Sequence, residues 1–197
     1  MILSPVSESS LAQIFTAART HHHWTPEPVG VATLERLYAT FKWGPTSVNS
    51  NPARILFITS GEVKERLYPT LLPLNVEQVR SAPVVAVVCY DERYTERLPQ
   101  LFPAFDAKPL FDADAKLRQE TAFRNSSLQG AYLILAARAL GLDVCPMSGF
   151  DNDALDEALL QGTHWRSNFL CILGHGDAQA VYPRGPRLEF DEACRVV

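Results

Sequence analysis

Residues 84–90, VVAVVCY, are seven apolar residues in a row, entered through Pro83 and left at Asp91. A short run of this kind, rich in valine and closed by a proline, reads as a strand, here over 82–90. It lacks the apolar–polar alternation of a half-buried strand, so both faces of its sheet must be covered. The rest of the chain has to supply that cover.

Helical spacing provides it. Residues 7–19 place Leu11, Ile14, Phe15 and Ala18 at three- to four-residue intervals, with Ser7 or Ser9 as cap. Residues 32–43 place Leu34, Leu37, Tyr38 and Phe41 on one stripe. A helix is expected over 62–72, and the clearest one over 120–140, apolar almost all round from Leu128 onward and stopped by Gly141. Asp151 caps a further helix over 151–161, with Leu155 and Leu159 inward. Further strands are expected at 54–59, 143–147 and 169–173. Pro99, Pro103 and Pro109 break up residues 91–118, which read as an insertion or lid. Strands and helices interleave without a regular βαβ order, so the expected class is α+β, a sandwich with a mixed central sheet, in one domain over 1–197.

Composition narrows the function classes. With 47% hydrophobic residues and a formal charge of −4, the chain is neither disordered nor a dedicated nucleic-acid binder, which needs a basic excess. No apolar run approaches the ~20 residues of a membrane span, and the first residues lack a basic start followed by an apolar run. The expected location is the cytoplasm. Cys89, Cys145, Cys171 and Cys194 form no Cys-x-x-Cys pair.

Side-chain chemistry is harder to find. There is no GxSxG elbow, no HExxH, no GxGxxG and no P-loop. His21, His22 and His23 are consecutive, and adjacent residues point in different directions, so no metal site is expected. Arg19 with the histidines at the end of the first helix, and Arg184 with Arg187 in the tail, could form an anion site, since a guanidinium meets phosphate with a planar fork. The loop after Gly44 offers Thr46, Ser47, Asn49, Ser50 and Asn51, and could clamp a polar planar ligand or be an ordinary turn. The strand end Pro146-Met147-Ser148-Gly149 allows the same two readings.

Together these segments resemble the flavin-dependent nitroreductase family. The resemblance rests on Arg19-Thr20-His21, on Ser47-Val48-Asn49-Ser50-Asn51-Pro52, on Pro146-Met147-Ser148-Gly149 and on Arg184 with Arg187. It is closer to the malonic semialdehyde reductase branch of pyrimidine breakdown, through KWGPTSVNSNPARI (42–55), ERLPQLFP (96–103), ETAFRNSSLQGAYLILAARALGLD (120–143), PMSGFD (146–151) and PRLEFDEAC (186–194). It implies an FMN-binding homodimer with two flavins at the interface. Arg19, Thr20, His21 and one or both of Arg184 and Arg187 would then hold the phosphate. Ser47, Asn49 and Asn51 would contact the ribityl chain and ring, and the backbone of Pro146, Met147, Ser148 and Gly149 would approach the ring. The 120–140 helix would form much of the dimer core.

The implied activity is hydride transfer from NADPH or NADH, through the flavin, to a small aldehyde, 3-oxopropanoate. The alternative within the family is a general nitroreductase or quinone reductase. No side chain is expected as nucleophile, because the flavin carries the hydride. Commoner members have Gln at the place of Asn51, an aromatic at Ala53 and Glu at Ser148.

Overall fold

The 84–90 run forms the centre of a four-stranded sheet in the computed structural model, which describes residues 4–197. The strands are β1 (Ala53–Ile58), β2 (Val84–Asp91), β3 (Asp143–Met147) and β4 (Trp165–Gly174), in the order β1-β2-β4-β3. Along β2, side chains alternate between two cores. Val85, Val87 and Cys89 pack with Leu67, Val79, Leu155 and Ile172 on one face. Val84 and Ala86 pack with Leu34, Leu37, Phe41, Leu133 and Ala137 on the other. That is the period of two of a strand, with both faces dry.

All three ladders are antiparallel. The mixed character expected of the sheet is confined to one isolated parallel bridge between Thr20 and Val144. An apolar strand reports covered faces, and helices cover both faces here whatever the direction of the neighbouring strands.

The expected helices form with shifted ends. Val31–Phe41 buries Leu34, Leu37 and Phe41, while Tyr38 stays exposed. The first helix is only Glu8–Leu11, continued as a π-helical turn over Ala12–Thr16, and none of it is fully buried. Residues 62–72 split into Gly61–Leu67 and a short 3-10 turn, and an unexpected helix, Pro73–Ser81, follows. Asp151 caps Asn152–Leu159, its side chain accepting from the Ala154 N–H.

Residues 91–118 are more ordered than their prolines suggested. Pro99 and Pro109 each stand in the first turn of a short helix, Leu98–Leu101 and Lys108–Asp112, where a missing N–H costs nothing. Tyr94, Leu98, Ala107 and Phe111 build a third small core against Ala122.

The long helix runs over Ala115–Ala139, with Asp114 as its cap, and ends before Gly141, whose φ of +82° is left-handed. Gly130 lets it lie against the sheet, since a Cβ there would stand 2.4 Å from Phe169 Cζ. The helix is not buried on most faces within this chain: Phe123, Leu128 and Tyr132 are 52%, 47% and 40% exposed.

The cysteines sort by burial. Cys89, Cys145 and Cys171 are buried and Cys194 is exposed. Burial pushes the Cys145 thiol up to about 11 and the Cys89 thiol up to about 12. At pH 8 a thiol reagent is therefore expected to titrate one group in the native protein and all four after denaturation. Reaction of three or four thiols under native conditions would contradict this packing.

Candidate functional site

The expected binding residues fall into two cavities that share no lining residue. The first, of about 590 Å³, is lined by Arg19, Thr20, His22, Arg138, Arg184 and Arg187 among others, and, among the described residues, by no aspartate or glutamate. Its two chain segments are clasped by their own arginines. Arg19 donates to the Tyr182 carbonyl, and Arg184 Nη2 donates back to the Thr16 and Ala18 carbonyls at 2.9 and 3.1 Å. Those carbonyls belong to the end of the first helical segment, where acceptors lack helical partners. Arg187 bonds only to the nearby Gly185 and Pro186 carbonyls.

Arg138 was not singled out from the sequence. It comes from the last turn of the long helix, donates from Nη1 to the Ile14 carbonyl at 3.1 Å, and keeps a buried Nε with no partner. Burial lowers its pKa, and Arg184 acts in the same direction. Four guanidiniums around one cavity form a field that favours an anion.

The histidines divide as neighbours on an extended segment must. Thr20 bridges to Val144, and His21 then turns inward, its Nε2 3.3 Å from Asp143 Oδ1 and its ring against Gly176. His22 turns the other way, into the arginine cavity, with Nδ1 2.9 Å from Gln78 Oε1. Of the two, His22 rather than His21 faces the cavity, because the edge bridge fixes which side each residue takes.

The second cavity, of about 600 Å³, has an aromatic wall of Tyr38, Phe41, Trp43, Phe57 and Trp165 and a polar edge of Asn49, Asn51 and Gln129. The loop carrying that edge is strained. Val48, Asn49 and Asn51 all adopt left-handed backbone, with φ of 46°, 50° and 42°. Asparagine tolerates this conformation, but a β-branched valine does not, at a cost on the order of 1–3 kcal/mol.

Two buried amides one helical turn apart hold the loop. Asn125 Oδ1 accepts from the Ser47 N–H at 2.8 Å, and Gln129 Oε1 accepts from the Ala53 N–H at 2.9 Å. The insertion grips the opposite side: Val48 packs on the Tyr94–Phe111 core, and Asn49 Nδ2 donates to the Leu101 carbonyl at 2.8 Å. Asn125 and Gln129 were also missed, although polar amides four apart in an apolar helix are the signal that could have found them.

Pro146, Met147, Ser148 and Gly149 line neither cavity. Met147 is buried in the core, while Pro146 and Ser148 are exposed. The close approach that Gly149 permits is to Leu72 and Asn75: its carbonyl accepts from the Leu72 N–H at 3.0 Å and Asn75 Nδ2 at 2.9 Å.

Residues 5–175 match the Nitroreductase family. The chain belongs to that family. This nitroreductase-family chain is 52% identical over 194 residues, 98% of its own length and 99% of the relative's, to a Rhodopseudomonas palustris (strain TIE-1) protein named for NADH dehydrogenase/NAD(P)H nitroreductase activity. Two solved structures share its fold. The Bacillus subtilis nitroreductase ydfN aligns with a TM-score of 0.86 at 19% identity, over 97% of this chain and 100% of that one. A nitroreductase of Exiguobacterium sibiricum 255-15, solved in complex with FMN, aligns with a TM-score of 0.83 at 22% identity, over the whole of both chains. Among the described residues no helix is long and apolar enough to cross a membrane.

Proposed function

We propose that this nitroreductase-family chain is an FMN-dependent NAD(P)H oxidoreductase that works as a homodimer, with 3-oxopropanoate as its acceptor. The observation that carries the cofactor is the arginine cavity: four guanidiniums, no carboxylate among the described lining residues, and an orphaned buried Nε on Arg138. A phosphate monoester fits that donor set, because charge-assisted bonds to a dianion satisfy several N–H groups together. Bound there, FMN would supply hydride transfer between a nicotinamide and an acceptor.

The chain's own part is binding and orientation. Arg19, Arg184 and His22 would hold the phosphate, with Arg187 and Thr20 beside them. Ser47, Asn49 and Asn51 would meet the rest of the cofactor. These two groups line separate cavities in one chain, which supports a site completed by a second copy. The exposed apolar side chains Phe123, Leu128 and Tyr132 on the long helix support it too, since apolar surface left open on one chain marks protein interfaces. His21 would act from behind, holding the 20–24 segment against Asp143.

For the acceptor, the resemblance of segments 42–55 and 120–143 to the malonic semialdehyde reductase branch supports a small aldehyde acid. Lys42 stands in the aromatic cavity as a cation for its carboxylate, whereas Arg54 is already paired with Asp91 at 2.7 Å. A second reading, a nitroaromatic or quinone acceptor, is favoured by the aromatic wall of that cavity and by the name of the Rhodopseudomonas palustris relative.

The deciding measurement is the visible spectrum of the purified protein through an anaerobic cycle. The protein is expected to be yellow, to bleach with NADPH, and to regain colour with 3-oxopropanoate. Colour regained only with quinone or a nitroaromatic would select the second reading. A protein that shows no bound-flavin spectrum after incubation with FMN would end both.

A further inference from the structure

The polar edge of the aromatic cavity contains a chain of three side-chain amides with a single consistent orientation. At one end the Ala53 backbone N–H can only donate, and Gln129 Oε1 accepts it at 2.9 Å. Gln129 Nε2 is therefore turned toward Asn51 and donates to its Oδ1 at 3.3 Å. Asn51 Nδ2 donates onward to Oδ1 and to the carbonyl of Asn49, at 2.8 and 2.7 Å. Asn49 Nδ2 donates to the Leu101 carbonyl, which can only accept, at 2.8 Å. Reversing one amide sets donor against donor on one side and acceptor against acceptor on the other, so the backbone groups at the two ends fix all three.

This arrangement decides what the wall offers. Both hydrogens of Asn51 Nδ2 are used within the chain of amides. One hydrogen on Gln129 Nε2 and one on Asn49 Nδ2 remain, and both residues line the cavity. The edge is thus a donor surface, and Gln129, itself 5% exposed, is the member that links it to the long helix.

We propose that Gln129 serves the redox function as a donor: with its Oε1 held by the Ala53 N–H, its Nε2 is turned to Asn51 and to the cavity, and so favours the reduced state of a flavin bound there. This rests on the flavin reading above. A reduced flavin carries more negative charge than an oxidised one, and preorganised donors facing the place where charge develops stabilise the charged state. Removing the Gln129 amide takes that N–H from the cavity edge, while Asn51 stays oriented by the Asn49 carbonyl, and the preference for reduced flavin falls.

The test is the two-electron midpoint potential of FMN bound to the wild-type protein and to Gln129→Met, a neutral change of similar length. The expected result is an approximately tenfold smaller ratio of reduced to oxidised FMN affinity, which corresponds to a midpoint lower by about 30 mV. A residue with only a structural role would lower thermal stability or FMN retention and leave the potential where it was, and that outcome overturns the proposal. Should Gln129→Met fail to fold, Gln129→Glu carries the test at pH 8. Its carboxylate still accepts the Ala53 N–H but cannot donate to Asn51, and an unchanged potential overturns the proposal equally. A wild-type protein that takes up no FMN overturns both this inference and the reading beneath it. A wild-type protein that binds FMN beside a variant of unaltered potential overturns this inference alone.

Discussion

Arg19→Ala is expected to raise the dissociation constant for FMN about tenfold or more, because a charge-assisted hydrogen bond to phosphate contributes roughly 1.5–3 kcal/mol. Titration of the apoprotein with FMN, followed by flavin fluorescence, measures it directly. Arg184→Ala is expected to do the same, and the double variant to lose less than the product of the two. The reason is the clasp. Arg19 holds the tail through the Tyr182 carbonyl, and Arg184 holds the end of the first helical segment through Thr16 and Ala18, so each loss already loosens the segment that carries the other. Arg187 takes no part in that clasp. A weaker affinity in Arg187→Ala would therefore report a phosphate contact alone. Unchanged FMN affinity in both Arg19→Ala and Arg184→Ala would remove the phosphate from this cavity.

Leu133→Ala is expected to cost about 2–5 kcal/mol of folding stability, the range for truncating a buried leucine in a core that cannot collapse around the void. Leu133 is fully buried where the long helix meets Leu37, Phe41 and the inner face of the sheet. For a chain of about this size the loss corresponds to a melting temperature lower by roughly 4–20 °C, read by calorimetry or circular dichroism. Leu133 lines neither cavity, so FMN affinity at a temperature where the variant is folded should stay near the wild-type value. A loss below about 1 kcal/mol would mean that the helix does not pack as described.

Much of the fold could be read from local signals. Val84 to Tyr90 could only be a strand covered on both faces, and Gly141 and Asp151 marked a helix end and a helix start by conformations that few other residues adopt so cheaply. The insertion was harder, because Pro99 and Pro109 interrupt a helix or begin one depending on where the preceding turn ends. The site was legible as residue types and not as an arrangement. Arg19, Arg184 and Arg187 were named as an anion set and do line one cavity, while Pro146 to Gly149, named beside them, turn to the core and to the 72–75 segment.

The sequence alone determined the quantities that depend on neighbours in the chain: the strand and helix periods, the caps, and a mild acidic balance with arginines at both ends. The tertiary structure alone decided everything that needs two distant segments at once. Which of His21 and His22 faces the arginines follows from a bridge between Thr20 and Val144. The hand of the strained Val48–Asn51 backbone follows from what Asn125, Gln129 and the insertion hold in place. The direction of the Gln129–Asn51–Asn49 amides follows from two backbone groups, Ala53 N–H and Leu101 C=O, that lie 48 residues apart in the chain and meet only when it is folded. A side chain's direction is set by the partner it finds, and spacing along one chain does not encode a partner that far away.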